Sequence, residues 1–254
     1  MVLPVESLAQ PTFWISQLVE IAGLTAVGYL AGILATRHEV RVNYTRKMVH
    51  FTAFFLPVLI TDQFPFQATG ATTLASGGIL LLLLALLTEP LRSRSSFLMT
   101  VFRSFDRPED RPYTLRWLTT QLAAGYAVII PFGVMFNRME MLHLIYIPIL
   151  ISGIGDGLAE PVGVRFGRRS FKVPALFSDR RYERTLEGSA CVFLTGVAVL
   201  LFFRDSFTST QLILALAVIP LAMTLTEARA PHTWDQPFLF LTGAASVLAI
   251  VTWG

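Results

Sequence analysis

Phe13-Trp14-Ile15-Ser16-Gln17-Leu18-Val19-Glu20-Ile21-Ala22-Gly23-Leu24-Thr25-Ala26-Val27-Gly28-Tyr29-Leu30-Ala31-Gly32-Ile33-Leu34-Ala35 carries one formal charge along its whole length. At about 1.5 Å of rise per helical residue, such a run is long enough to cross roughly 30 Å of hydrocarbon. Leu115 to Phe136 repeats the pattern. The 254 residues are 54% hydrophobic and only 15% charged, with a mean hydropathy of +0.60. That is too apolar for a soluble domain of ordinary composition, so a bilayer is the expected solvent. The opening residues have no basic stretch of the kind that starts a cleavable signal peptide, so the first span is expected to belong to the mature protein. Cys191, the single cysteine, has no intrachain disulfide partner, and the fold is not expected to depend on oxidation.

Apolar helical runs fall at about residues 13–35, 48–61, 72–88, 115–136, 141–162, 188–203, 210–226 and 237–253. The second is short and ends in Thr61-Asp62-Gln63, which by itself also suits a re-entrant segment. The positions of the basic residues decide whether it crosses. Arg37, Arg41, Arg46 and Lys47 fall in the first loop; Arg92, Arg94, Arg103, Arg107, Arg111 and Arg116 in the third; Arg165, Arg168, Arg169, Lys172, Arg180, Arg181 and Arg184 in the fifth; Arg229 in the seventh. Only Arg138 and Arg204 fall in the even-numbered loops. Cytoplasmic loops carry the Lys and Arg excess, so the odd loops are expected inside and both termini outside. The expected fold is all-α: one polytopic transmembrane bundle over residues 1–254, of about eight spans within a range of seven to nine. No internal repeat or linker divides it. The longest polar insert, Pro90 to Tyr113, mixes apolar side chains with arginines. It reads either as an amphipathic helix in the headgroup region or as a solvated loop.

The most unusual stretch is Ser152-Gly153-Ile154-Gly155-Asp156-Gly157-Leu158-Ala159-Glu160-Pro161-Val162-Gly163. Charge within a span is costly and marks function. Asp156 and Glu160 are four apart, so a helix puts them on one face one turn apart, where they suit one hard divalent cation such as Mg2+. The glycines leave room for close approach of a phosphate or of another helix. Arg46-Lys47-Met48-Val49-His50 opens the second span. It suits a polyphosphate, and His50 can donate a hydrogen bond or move a proton. The same residues also suit a topology anchor that snorkels to the interface. Thr185 reads as the N-cap of the sixth span, with Glu187 in its first turn. Glu89, Glu227 and Asp235 add acids on the same side, whereas Glu20 and His143 read as structural.

Arg46-Lys47-x-x-His50, then Gly155-Asp156-Gly157-Leu158-Ala159-Glu160-x-x-Gly163-x-Arg165-Phe166-Gly167, then Glu187-Gly188-Ser189 resemble the membrane lipid kinases that use CTP, the phytol kinase and dolichol kinase family. CTP-dependent diacylglycerol kinases are related, and phosphatidate cytidylyltransferases share part of the pattern. The resemblance runs from about Arg46 to Gln236. It implies that Asp156, with Glu160, holds Mg2+, that Arg46, Lys47 and His50 contact nucleotide phosphates or the reacting centre, and that Glu187 joins them. Gly155, Gly157, Arg165, Arg168, Arg181 and Arg184 are the further nucleotide-contacting positions it suggests. Glu160 stands where the family usually has Asp, Val164 where many have Arg, and Trp234-Asp235-Gln236 where Asp-Asp-Asn is common.

The expected function is therefore CTP-dependent phosphorylation of a membrane-embedded isoprenoid alcohol, with the lipid entering sideways and CTP arriving from the cytosol. No nucleic-acid partner is expected. The alternatives are a cytidylyltransferase making a CDP-lipid, a CTP-dependent diacylglycerol kinase and, outside enzymes, a transporter. A transporter is disfavoured because its acids are expected near the midplane at broken helices in paired halves.

Overall fold

The computed structural model of the chain describes residues 5–254. The expectation about the opening residues falls mostly outside that range. Eleven α-helices and one β-hairpin are seen among the described residues. They are α1 (Pro11–Arg37), α2 (Val42–Gln63), α3 (Gly70–Leu86), α4 (Glu89–Arg92), α5 (Ser96–Arg103), α6 (Thr114–Arg138), α7 (Tyr146–Leu150), α8 (Gly157–Phe166), α9 (Leu186–Phe202), α10 (Ser209–Arg229) and α11 (Asp235–Trp253). A π-helical turn, Ile151–Asp156, joins α7 to α8, so that Leu142–Phe166 is one helical stretch.

Five of these stretches are long and apolar enough to cross a membrane: α1, α6, Leu142–Phe166, α10 and α11. The apolar helices α3 and α9 are shorter. The helix α2 is long enough, but Arg46, Lys47 and Asp62 dilute its hydropathy. Large apolar side chains such as Leu18, Leu59, Leu82, Leu194, Phe202 and Ile213 are exposed along the helices, the surface that lipid covers in a membrane protein. Thr69 and Thr72 form a capping box that starts α3, and Thr208 and Gln211 do the same for α10.

The described residues cluster into two compact units, 5–119 and 120–254, and the division falls within α6. In the first, α1 packs against α2 and α5. The insert Pro90 to Tyr113 is thus neither a free interfacial helix nor an open loop. Its helix α5 lies on a glycine face of α1, where a Cβ on Gly32 would collide with the backbone of Thr100, and Tyr29 stacks on Phe97 with centroids 5.0 Å apart. Leu87, Phe102 and Phe105 close a small core beneath it. In the second unit, Phe136, Ile147, Ile151, Val192, Ile219, Met223, Leu239 and Val247 form the main core.

The hairpin corrects the all-α expectation. Strands β1 (Ser170–Ala175) and β2 (Ser178–Thr185) pair antiparallel with Lys172 opposite Glu183 and Val173 opposite Tyr182. Basic residues are dense here, yet Phe171 and Val173 alternate with Ser170 and Lys172. Val173, Ala175 and Tyr182 bury one face.

Candidate functional site

Two polar clusters are built in the described residues, one in each unit. In the first, Thr45 of α2 donates a buried hydrogen bond to the carbonyl of Ser104 at 2.7 Å, tying the start of α2 to the segment after α5. Arg107 directs Nε and Nη2 to one oxygen of Asp110, each at 2.8 Å. Arg46 Nη1 lies 3.9 Å from that same oxygen. Asp110 is only 1% exposed, and Lys47, next to Arg46, is 5% exposed. Asp106 accepts hydrogen bonds from Arg111 Nε at 2.7 Å and from the Thr114 hydroxyl at 2.8 Å. A buried carboxylate must be paired, and here the pairing fixes the arginine that opens the basic motif. His50, one turn further along α2, packs on Phe54 with ring centroids 4.7 Å apart.

The second cluster centres on Arg184. Its strand period sets the geometry: residues 171, 173, 175, 182 and 184 share the inner face of the hairpin, while Lys172, Pro174, Arg181 and Glu183 share the outer one. Arg181 and Arg184, which the resemblance sets side by side as phosphate contacts, therefore point to opposite faces. Arg184 Nη1 donates to Glu227 Oε1 at 2.8 Å and to the Glu227 carbonyl, and Nη2 lies 3.2 Å from Asp235 Oδ2. Ser189 near the start of α9 donates to the other Glu227 oxygen at 2.7 Å. Burial alone would lower the guanidinium's pKa, but Asp235, Glu227 and Asp156 outweigh it and hold the group further above its ordinary range. Arg184 is thus a permanently charged strut joining β2, the end of α10 and the start of α11.

Asp156 is the last residue of the π-helical turn, and Glu160 follows in α8; both are half-buried. Single π-turns inside helices are rare and concentrate at functional sites. The glycines serve helix approach: a Cβ on Gly155 would lie 2.9 Å from Val192 Cα, and one on Gly188 would lie 2.7 Å from the Ala159 carbonyl. At Gly155 the space is therefore taken by α9. Among the described residues no three His, Cys, Asp or Glu side chains are close enough to hold a metal ion. Mg2+ is commonly bound through one or two carboxylates with water and phosphate completing the shell, so Asp156 and Glu160 fit it as a partial ligand set.

The remaining expected residues are scattered. Glu187 is half-buried in the first turn of α9, where it accepts a hydrogen bond from the Arg169 N–H at 3.4 Å, and Thr185 caps that helix by accepting from the Gly188 N–H at 3.1 Å. Arg165 is exposed in the last turn of α8, and Arg168 is exposed between α8 and β1. Glu89 pairs with Arg92 at 2.6 Å on the surface and joins neither cluster. In the sequence Arg107 counts only as a topology charge and Ser189 only as the end of a motif, and Asp110 carries no assignment. The spacing of Arg107 and Asp110, three apart with opposite sign, was a usable signal.

Thr233, between α10 and α11, has φ 59°, a left-handed conformation that a β-branched residue rarely adopts. It is buried, and its hydroxyl has no hydrogen-bond partner among the described residues. Trp234 beside it donates to Thr120 Oγ1 at 3.0 Å. No protein-family model matches the chain, and neither does any curated protein or solved structure.

Proposed function

We propose that this chain is a CTP-dependent kinase of a membrane-embedded isoprenoid alcohol, phytol-like or a longer polyprenol. The observation that carries the reading is the placement of two half-buried carboxylates, Asp156 at the end of the π-turn and Glu160 in the first turn of α8, within one apolar helical stretch, Leu142–Phe166. In phosphoryl transfer the protein mainly positions the reactants and neutralises developing charge. The alcohol oxygen attacks the γ-phosphorus, the bond to the β-bridging oxygen breaks, and CDP leaves. Mg2+, held by Asp156 and Glu160, would supply charge neutralisation at the phosphates.

In this reading Arg46 and Lys47 bind nucleotide phosphate, and Arg165, Arg168 and Arg181 add cationic contacts. Arg184 keeps its partners and positions the acids. Glu160, Glu187 or His50 takes the hydroxyl proton. The reading includes eight crossings, both termini outside and the reacting groups on the cytoplasmic face. In a Cys191→Ala background, cysteines at the exposed positions Arg94→Cys and Lys172→Cys are expected to resist an impermeant thiol reagent in intact cells. Labelling of both from outside would overturn the topology.

The test of the activity is to incubate purified protein with Mg2+, several labelled nucleotides and a panel of lipid alcohols, and to identify products by mass. The expected products are the alcohol monophosphate and CDP. A CDP-lipid with released pyrophosphate would make the chain a cytidylyltransferase, and no turnover across the panel would remove the enzyme reading.

A further inference from the structure

We infer that the hairpin Ser170–Thr185 lies flat on the membrane surface and that its tip and outer face take anionic lipid headgroups. The inference needs the flanking helices to cross the membrane, and it does not rest on the kinase reading. The strand β1 starts four residues after α8 ends, and β2 runs directly into α9, so both roots lie at helix ends. Standing upright, six strand residues at about 3.3 Å each would carry the tip roughly 20 Å away from those ends.

The hairpin is instead held down near its tip. Ala175, the last residue of β1, forms a bridge with His232, and the Pro174 carbonyl accepts the His232 N–H at 2.8 Å. Tyr182 stacks on the His232 ring with centroids 3.7 Å apart and planes 4° from parallel. His232 belongs to the five-residue connection between α10 and α11, both long and apolar enough to cross. A connection that short between two crossing helices stays at the interface. The turn Leu176-Phe177 follows Ala175 directly, so it sits at headgroup depth.

What the hairpin shows there is an aromatic among cations. Phe177, 47% exposed, has φ 62°. Arg180 and Arg181 are exposed within four residues of it, and Lys172 is exposed further along β1 opposite Glu183, with Asp179 the other acid of the hairpin. Aromatic rings favour the membrane–water interface, and basic side chains near it attract anionic headgroups. The shared chemistry is phosphate, and the commitment is to lipid phosphate rather than free nucleotide.

The test places a cysteine at Leu176→Cys in a Cys191→Ala background, labels it with an environment-sensitive dye and reconstitutes the protein. Quenching by brominated acyl chains is compared between phosphatidylcholine vesicles and vesicles of phosphatidylcholine with phosphatidylglycerol at about 7:3. We expect at least about twofold stronger quenching with the anionic lipid, abolished by Lys172→Glu with Arg180→Glu and by about 1 M salt, where the Debye length is near 3 Å. Equal quenching in both vesicles would overturn the inference. So would a gain that survives in the double variant at an unchanged melting temperature, or one produced in pure phosphatidylcholine by inorganic triphosphate. If the double variant does not fold, the salt series on the singly labelled protein decides, and a gain that persists at high salt overturns the inference.

Discussion

At the start of α2 the guanidinium groups of Arg46 and Arg107 meet the carboxylate of Asp110, with Glu109 3.9 Å from Arg107. On the inner face of the hairpin one guanidinium, Arg184, pairs with two carboxylates, Glu227 and Asp235, that come from elsewhere in the chain. Both clusters are mostly withdrawn from water, where a charge persists only if others of opposite sign answer it. In the proposed reaction Arg46 and Lys47 bind nucleotide phosphate, and Asp156 with Glu160 holds Mg2+.

The largest effect is expected at the strut. Arg184→Met strips the charge that answers Glu227 and Asp235, and removing one partner of a buried pair costs roughly 3–5 kcal/mol. Chemical denaturation should show that loss, and Glu227→Gln in the same chain should recover part of it by removing one stranded carboxylate. If the single variant melts like the parent, the second cluster is not held by charge and the comparison breaks.

A smaller effect sharpens the first cluster. Lys47→Arg keeps the positive charge, so a topology anchor would tolerate it. As a compact phosphate ligand Lys47 would not, and kcat/KM for CTP should fall at least roughly tenfold, about 1.4 kcal/mol of transition-state stabilisation. Yield and thermal stability should stay unchanged. Parental kinetics would return Arg46-Lys47 to the topology signals.

The smallest concerns the connection beside Asp235. Strain of the kind seen at Thr233 costs on the order of 1–3 kcal/mol, and Gly removes it while losing some backbone entropy. Thr233→Gly should therefore raise stability by about 1 kcal/mol or less, read as a rise of a few degrees in Tm. A clear fall would mean that the buried side chain contributes more than the strain costs.

The helices were legible because hydrocarbon thickness sets their length. Expected runs such as 13–35, 115–136 and 210–226 lie inside α1, α6 and α10. The cap at Thr185 was legible for a similar reason, since it depends on near neighbours in sequence. The π-turn was not legible, because the glycines around Asp156 suit an α-helix, a turn or close packing equally. The hairpin was hidden by its arginines, whose count answered the question of sidedness and drew attention from the alternation on β1 and β2. Arg184 meets Glu227 and Asp235 across 43 and 51 residues of chain, beyond the reach of any local spacing rule.

The proposed roles of the basic motif and of Asp156 are tested most directly by calorimetric titration of CTP into the parent protein and Asp156→Asn, with and without Mg2+. Asn keeps the shape of the side chain and removes the charge that the ion needs. For the parent, Mg2+ is expected to tighten CTP binding at least roughly tenfold. Asp156→Asn should keep the Mg2+-free affinity, supplied by Arg46 and Lys47, and lose the gain. A folded Asp156→Asn protein that shows the parental Mg2+ gain would contradict the account.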